Sequence, residues 1–278
     1  MKVIDGRKIA QSIRENIAKE IKELKLSPSL HTISFGGDKT AEIFLSQKER
    51  VCREVGISFY CHRFWGATSR ERISQFIRDL NANPKVSGIL IQLPLSSKLG
   101  LDSSLLDKIR PDKDVDCLTA LNFGKFASGT PVFVPPTAQA VNQILDRAKI
   151  KVKGKNVTIV GAGRIAGLPI ALSLLQQGAT VTICQEFTKD LKEHTKKAEV
   201  LISATGRPRL IKDSMIKKGA VVIDVGTSWK NGKMVGDVDF QNIGGKASLA
   251  TPVPGGVGPI VVACLLKNVL KATKLHTP

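Results

Sequence analysis

Gly161-Ala162-Gly163-Arg164-Ile165-Ala166-Gly167 follows the apolar run Asn156–Val160, so a segment of strand length ends in a glycine turn. The spacing fits G-x-G-x-x-A, with one more glycine a position later. The first glycine permits a tight turn and the second lets backbone approach a pyrophosphate. Ala166 or Gly167 allows close packing of helix on strand. A helix over 168–177 then presents free N–H groups and a positive dipole end to phosphates. A second strand, 179–184, runs into Gln185-Glu186 about 20 residues on, where an acid accepts hydrogen bonds from ribose hydroxyls. Such an acid repels a 2′-phosphate, which favours NAD over NADP, although Lys189 stands close enough in sequence to offset one. The plainer alternatives are a tight turn in a nucleotide-free fold and a solvated Glu186 at a strand end.

Other candidates carry less chemistry when taken alone. Lys48, four residues after Phe44, shares a helix face with it, and a lone lysine there reads as a solvated face. Gln92 ends the apolar run that starts at Gly88, and a polar residue at the end of a buried strand needs a partner. Asp116 closes Pro111-Asp-Lys-Asp-Val-Asp116 and alone reads as a turn aspartate. The segment 251–259, TPVPGGVGP, fixes an unusual backbone through its prolines and glycines. It can press close to a ligand and then launch a helix.

The elements that must position these residues alternate between strand and helix from end to end, the pattern of an α/β protein with mainly parallel sheets. Residues 7–25 place Ile9, Ile13, Ile17, Ile21 and Leu24 at helical spacing. An apolar stretch over 30–35, a helix over 41–55 and a strand over 56–62 follow. Thr68 and Glu71 form a capping box for a helix reaching about residue 80. Residues 111–135 lack a regular pattern and read as a functional or linking loop. A helix over 137–148 leads into a second α/β unit with strands at 156–160, 180–184, 200–203 and 220–225. A C-terminal helix covers 259–270.

Composition narrows the class. The chain has 278 residues, 42% hydrophobic and 24% charged, with a formal net charge of +18. That is globular composition; no run of about 18 apolar residues suits a membrane span, and the N-terminus lacks a secretory h-region. Five scattered cysteines and four scattered histidines form neither a disulfide framework nor a metal site. A reducing cytoplasm is the expected compartment. The charge points to an acidic partner, either a nucleic acid or an anionic cofactor or substrate, or else to solvated helix faces. With 5% aromatics and no basic run interleaved with aromatic residues, a nucleic-acid-binding protein is the weaker reading.

Taken together, the strings Gly88-Ile-Leu-Ile-Gln-Leu-Pro-Leu95, Pro111–Asp116, Val235-Gly-Asp-Val-Asp239 and PVPGGVGP closely resemble the bifunctional methylenetetrahydrofolate dehydrogenase/cyclohydrolase family, in order and over the whole chain. The resemblance implies two α/β lobes, the C-terminal one a Rossmann-type dinucleotide-binding domain. Residues 1–138 and 260–278 would form the folate-binding catalytic domain, and 139–259 the nucleotide domain. It implies a homodimer with the folate, in polyglutamylated form, in a cleft between domains. The implied activity is oxidation of 5,10-methylenetetrahydrofolate with NAD or NADP, then hydrolysis of the methenyl product to 10-formyltetrahydrofolate. Lys48, Gln92 and Asp116 take the catalytic positions, and Phe44, Pro252, Gly255 and Gly256 the substrate positions. The cofactor positions are Gly161, Gly163, Arg164, Ile165, Glu186, Thr205 and Thr227. No metal is implied.

The chain departs from the family pattern in ways that have chemical consequences. Phe44 stands where the family has tyrosine, so a ring remains for stacking while a hydroxyl is lost. This weakens the expected hydrolysis more than the hydride transfer, and a dehydrogenase without useful cyclohydrolase activity is the alternative. Ala162 and Glu186 replace groups that suit a 2′-phosphate, which adds to the lean toward NAD. Cys117 stands where glycine is usual, and Ile260-Val261 where Met-Thr is common.

Overall fold

The computed structural model describes residues 1–36, 39–65, 68–93, 95, 103–230 and 232–276. Pro94 of the QLPL string lies outside the described residues. In chain order, β1 (Lys2–Val3), α1 (Gly6–Glu23), β2 (Ser29–Phe35), α2 (Lys39–Val55) and β3 (Ser58–Phe64) come first. Then follow α3 (Arg70–Ala82), β4 (Gly88–Ile91), α4 (Ala120–Ala127) and α5 (Pro136–Arg147). A second run comprises β5 (Asn156–Val160), α6 (Gly167–Gln176), β6 (Thr180–Cys184), α7 (Leu191–Lys197), β7 (Val200–Ser203) and β8 (Val221–Asp224). The chain closes with β9 (Ser228–Lys230), β10 (Lys233–Val235), β11 (Leu249–Ala250) and α8 (Val257–His276). Among the described residues, no helix is long and apolar enough to cross a membrane.

The chain forms two compact units, one of residues 12–136 and 262–278, the other of residues 1–11 and 137–261. The first is built on a parallel sheet in the order β3-β2-β4. Its central strand is buried on both faces, as a parallel strand covered on both sides is, although Ser29, His31, Thr32 and Ser34 make it polar along half its length. Ile33, Ile73, Ile77, Ile89 and Leu105 fill its core. Ile9, Ile13, Ile17 and Ile21 of α1 are buried as their spacing requires, but Leu24 lies past the helix end and is exposed.

Two local expectations change. The cap of α3 is Ser69, which accepts from Arg72 N at 3.3 Å, while the Thr68 hydroxyl donates to the Trp65 carbonyl at 2.9 Å. Residues 111–135 are not all loop, because α4 forms there, capped by Thr119 accepting from Asn122 N at 3.2 Å. Eight residues with a glycine among them leave too short a periodic signal to read.

The second unit carries a six-stranded sheet in the order β1-β11-β8-β7-β5-β6, parallel throughout, and a β9–β10 hairpin. Lys2 pairs with Leu249 and Val3 with Ala250, so residues 1–11 join the nucleotide-type unit and not the lobe the resemblance assigned them. A two-residue strand gives no alternation to detect. Short elements also went unread at α7, β9, β10 and β11.

Candidate functional site

On α2, Leu45, Val51, Cys52 and Val55 are buried and make the stripe that faces the core. Lys48 occupies that same stripe, three residues after Leu45 and four before Cys52, so it does not belong to the solvated face read for it alone. Its Nζ donates to Gln92 Oε1 at 2.6 Å. Gln92 is fixed in turn: its backbone N–H donates to the Ile33 carbonyl at 2.8 Å and its Nε2 to the Leu93 carbonyl at 2.9 Å. The amide oxygen is therefore the end left for the lysine. Burial holds the Lys48 ammonium below the usual lysine range, against the opposing pull of Asp116. Burial also pushes the Asp116 carboxyl up to about 6, with Lys48 pulling it down and Asp114 pushing it further up. The same environment raises the Cys52 thiol to about 12, so the thiol stays protonated beside the amine.

The loop carrying Asp116 is held by its neighbours in the KDVD string. Lys113, 2% exposed, donates to the carbonyls of Leu80, Asn81 and Asn83 at 3.0, 2.9 and 2.7 Å and so closes the C-terminal end of α3. Asp114 accepts from the Leu118 and Thr119 amides at 3.1 and 2.9 Å, from the Thr119 hydroxyl at 2.7 Å and from Asn122 Nδ2 at 3.0 Å. Cys117 follows at φ +58°, a left-handed conformation that explains why glycine suits this position. With Lys113 and Asp114 committed to the framework, Asp116 is the carboxylate left half-buried beside Lys48. Phe44 lies one helical turn before Lys48 and is also half-buried.

In the other unit, β5 is the point where strand order reverses, with β6 on one side and β7 on the other. In open α/β sheets the crevice beyond the carboxyl end of such a strand receives ligands. Gly161 sits there at φ +106°, and a Cβ on it would meet the Ala204 carbonyl oxygen at 2.4 Å. A Cβ on Gly167 would meet the Gly161 oxygen at 1.8 Å, so Gly167, not Ala166, is the glycine that packs helix on strand. Gly163 differs: a Cβ there would meet nothing within 4 Å. The turn thus has two packed glycines and one that opens onto space, and no side chain of Ala166 caps α6. This arrangement fits a pyrophosphate-containing dinucleotide.

The remaining cofactor candidates lie at the same carboxyl edge. Arg164 is half-buried and Ile165 exposed, and the Ile165 carbonyl accepts from the Thr137 hydroxyl at 2.7 Å. Thr227, just past β8, is exposed. Thr205 has its hydroxyl committed to Asp237 Oδ2 at 2.9 Å, and its amide reaches the same oxygen at 2.6 Å. Glu186 faces Arg207, with Oε2 to Nη2 at 3.5 Å between two exposed side chains.

The proline–glycine segment is tightly folded on its own unit. The Val253–Pro254 bond is cis, and Gly255 has φ +99°. The Gly6 amide donates to the Gly255 carbonyl at 2.9 Å, and a Cβ on Gly6 would meet the Gly256 oxygen at 1.8 Å. A Cβ on Gly256 would meet the Pro252 oxygen at 2.4 Å, so this glycine is required by the chain's own packing. Pro252 and Gly255 are half-buried.

Comparison with known proteins decides the family. Residues 4–116 match the tetrahydrofolate dehydrogenase/cyclohydrolase catalytic domain, and residues 135–277 match the NAD(P)-binding domain of the same enzymes. The chain belongs to the tetrahydrofolate dehydrogenase/cyclohydrolase family. It is 46% identical over 276 residues to a bifunctional protein FolD of Hydrogenobaculum sp., covering 99% of both chains. The crystal structure of the bifunctional FolD dehydrogenase/cyclohydrolase of Campylobacter jejuni is similar with a TM-score of 0.95, at 35% identity and full coverage of both chains. The Trypanosoma brucei enzyme, solved with NADP and an inhibitor, is similar with a TM-score of 0.93 at 35% identity, covering 98% of this chain and 97% of that one.

In this family member the sequence reading missed several residues that shape the site. Asp237, fully buried, also accepts from the Ser203 hydroxyl at 2.8 Å and so pins the loop after β7. Asp224 accepts from the amides of Gly226, Asp237 and Val238 at 3.0, 3.1 and 2.8 Å. Burial pushes its carboxyl up to about 7, the amides opposing and Asp237 adding to the rise. Within the Val235–Asp239 string, Asp239 precedes a short 3-10 turn, whereas Asp237 is a buried acceptor of the framework. Gly226 was a usable signal, since a Cβ there would sit 2.0 Å from Asp237 Oδ1. Arg207 carried no signal, because its pairing with Glu186 spans two separate strand ends.

Proposed function

We propose that the chain oxidises 5,10-methylenetetrahydrofolate to the 5,10-methenyl cation with a nicotinamide dinucleotide and then hydrolyses that cation to 10-formyltetrahydrofolate. The observation that carries the reading is Lys48 in an apolar stripe, bonded to a fixed Gln92 and electrostatically coupled to Asp116. Residues 12–136 and 262–278 supply the folate-handling side chains, and residues 1–11 and 137–261 the dinucleotide turn.

Asp116, ionised above about pH 6, accepts N–H donors of a pterin edge and orients the substrate. Phe44 stacks on an aromatic part of the folate. Oxidation requires positioning more than acid–base help, because the folate nitrogens stabilise the developing cation. When bound, the nicotinamide supplies the hydride acceptor. Gly161, Gly163, Arg164 and Ile165 would hold its pyrophosphate, and Glu186 and Thr227 line the same edge. Hydrolysis then adds water to the cationic carbon, and one of the water's protons must leave. A lysine held below its usual range gives up its own proton more readily and so can serve as the amine that accepts one, and Gln92 keeps that amine aimed.

Two refinements follow from particular residues. Phe44 lacks the hydroxyl expected at its position, so hydrolysis is the slower half-reaction. Ala162 and Glu186 favour NAD, with Arg207 held on Glu186 and so kept from a 2′-phosphate. The substrate is polyglutamylated and the protein cytoplasmic. It is a homodimer, a state suited by the free edge of β6, where Ile183 is exposed.

A spectrophotometric assay with methylenetetrahydrofolate and either NAD or NADP tests the reading. Methenyl absorbance should rise and then decay. No rise with either cofactor would refute it.

A further inference from the structure

The carboxyl ends of the large sheet's strands carry the glycine turn, and the opposite ends carry a different feature. A cavity of about 550 Å³ opens where β5, β7 and β8 begin. Its wall includes Lys149, Lys151, Lys155, Lys217 and Lys218, with Glu199 as the one carboxylate among the described residues. Glu199 is already occupied: it accepts from Lys155 Nζ and from the Asn156 amide, both at 3.0 Å. Those hydrogen bonds hold its carboxyl below the usual range, so it stays an anion at neutral pH. Among the described residues, Lys149, Lys151, Lys217 and Lys218 form no ion pair. Five ammonium groups therefore surround one concave space, and among the described residues of its wall Glu199, which attracts both Lys155 and Lys217, is the single carboxylate to balance them.

We infer that this cavity is a second anion site, and that its ligand is a polyphosphate chain. Like charges gathered around a concavity focus potential and raise the local concentration of a counter-charged ligand. Lysine binds phosphate as a point charge, without the planar fork that arginine brings to carboxylates. Among the described residues the lining holds no aromatic ring on which a base would stack, so recognition falls on the phosphates. A volume of this size takes a small molecule, not a nucleic-acid groove. The site also places part of the +18 charge that a dinucleotide and a folate leave unexplained. It goes beyond the proposed reaction and stands whether or not that reaction is correct.

The test is calorimetric titration of the whole protein with sodium tripolyphosphate while NAD or NADP is saturating, so that the glycine turn is filled. One further site per chain is expected. Both Lys217→Gln/Lys218→Gln and Lys149→Gln/Lys151→Gln should weaken it at least tenfold, without changing dinucleotide binding. ATP binding there as tightly as tripolyphosphate would assign nucleoside triphosphates as the source of the chain. Tripolyphosphate binding alone would assign free polyphosphate. Loss of the heat when dinucleotide is present, equal binding of sulfate at matched ionic strength, or unchanged affinity in either double variant would overturn the inference. Because binding and not turnover is read, an inactive protein that still binds tripolyphosphate separates this inference from the proposed reaction.

Discussion

The lysine cluster and the glycine turn solve opposite problems. Around Lys48 the backbone is regular helix and strand, and the chemistry lies in side chains whose ionisation is shifted by burial. Around Gly161 the pair Glu186 and Arg207 is exposed, the buried carboxylates Asp224 and Asp237 serve the framework, and the specificity lies in backbone shape, in two glycines without room for a methyl group and one with room to spare. The first region should therefore respond to substitutions that preserve size and change proton affinity. The second should respond to a single added carbon and tolerate changes of charge as changes of selectivity.

The sharpest break should come from Gly167→Ala. The new methyl would lie within 1.8 Å of the Gly161 oxygen, and backbone, not a flexible side chain, would have to move. A loss of about 3 kcal/mol in stability is expected from such overpacking, with dinucleotide affinity lost alongside it. Thermal unfolding with and without NAD checks this, and an unchanged melting temperature would contradict it. Next in size, Glu186→Ala should raise kcat/KM for NADP relative to NAD by about tenfold, equivalent to ~1.4 kcal/mol, because it frees Arg207 and removes a repulsive charge. An unchanged ratio would move the selectivity elsewhere.

In the lysine cluster, Asp116→Asn should show its effect through pH. A carboxyl raised to about 6 binds its proton more tightly folded than unfolded. Its contribution to stability is therefore present below about pH 4 and lost as pH rises to 6. The variant should gain on the wild type over that interval by about 2 kcal/mol. Denaturant titrations at pH 4.5 and 7.5 measure the difference, and a gap that does not widen would count against a buried, coupled carboxyl. The smallest change is Phe44→Tyr, expected to speed hydrolysis a few-fold and leave hydride transfer unaltered. No gain would mean that the missing hydroxyl does not limit hydrolysis.

The large alternations were legible because periodicity alone encodes them. The strands at 156–160, 180–184 and 200–203 and the glycine turn fall where apolar runs and glycines place them. What escaped was short or non-local. β1 and β11 are two residues each, and their pairing joins Lys2 and Val3 to the distant Leu249 and Ala250. Lys48 was partly legible: a lysine three residues after Leu45 and four before Cys52 interrupts an apolar stripe, which a solvated lysine has no reason to do. Cys117 was noticed as a departure from glycine, but only its positive φ explains the preference. The division of labour within KDVD, with Lys113 and Asp114 as framework and Asp116 left for chemistry, depends on hydrogen bonds to α3 and α4 that no local pattern announces.

The most direct test of the central claim is Lys48→Arg. A guanidinium keeps a positive charge and a hydrogen-bond donor for Gln92 but does not release its proton near neutrality. Methenyl absorbance should then rise with NAD or NADP at a rate near wild type, and its enzyme-catalysed decay should fall by at least about a hundredfold. Decay at the wild-type rate would contradict the assignment of proton transfer to the Lys48 amine.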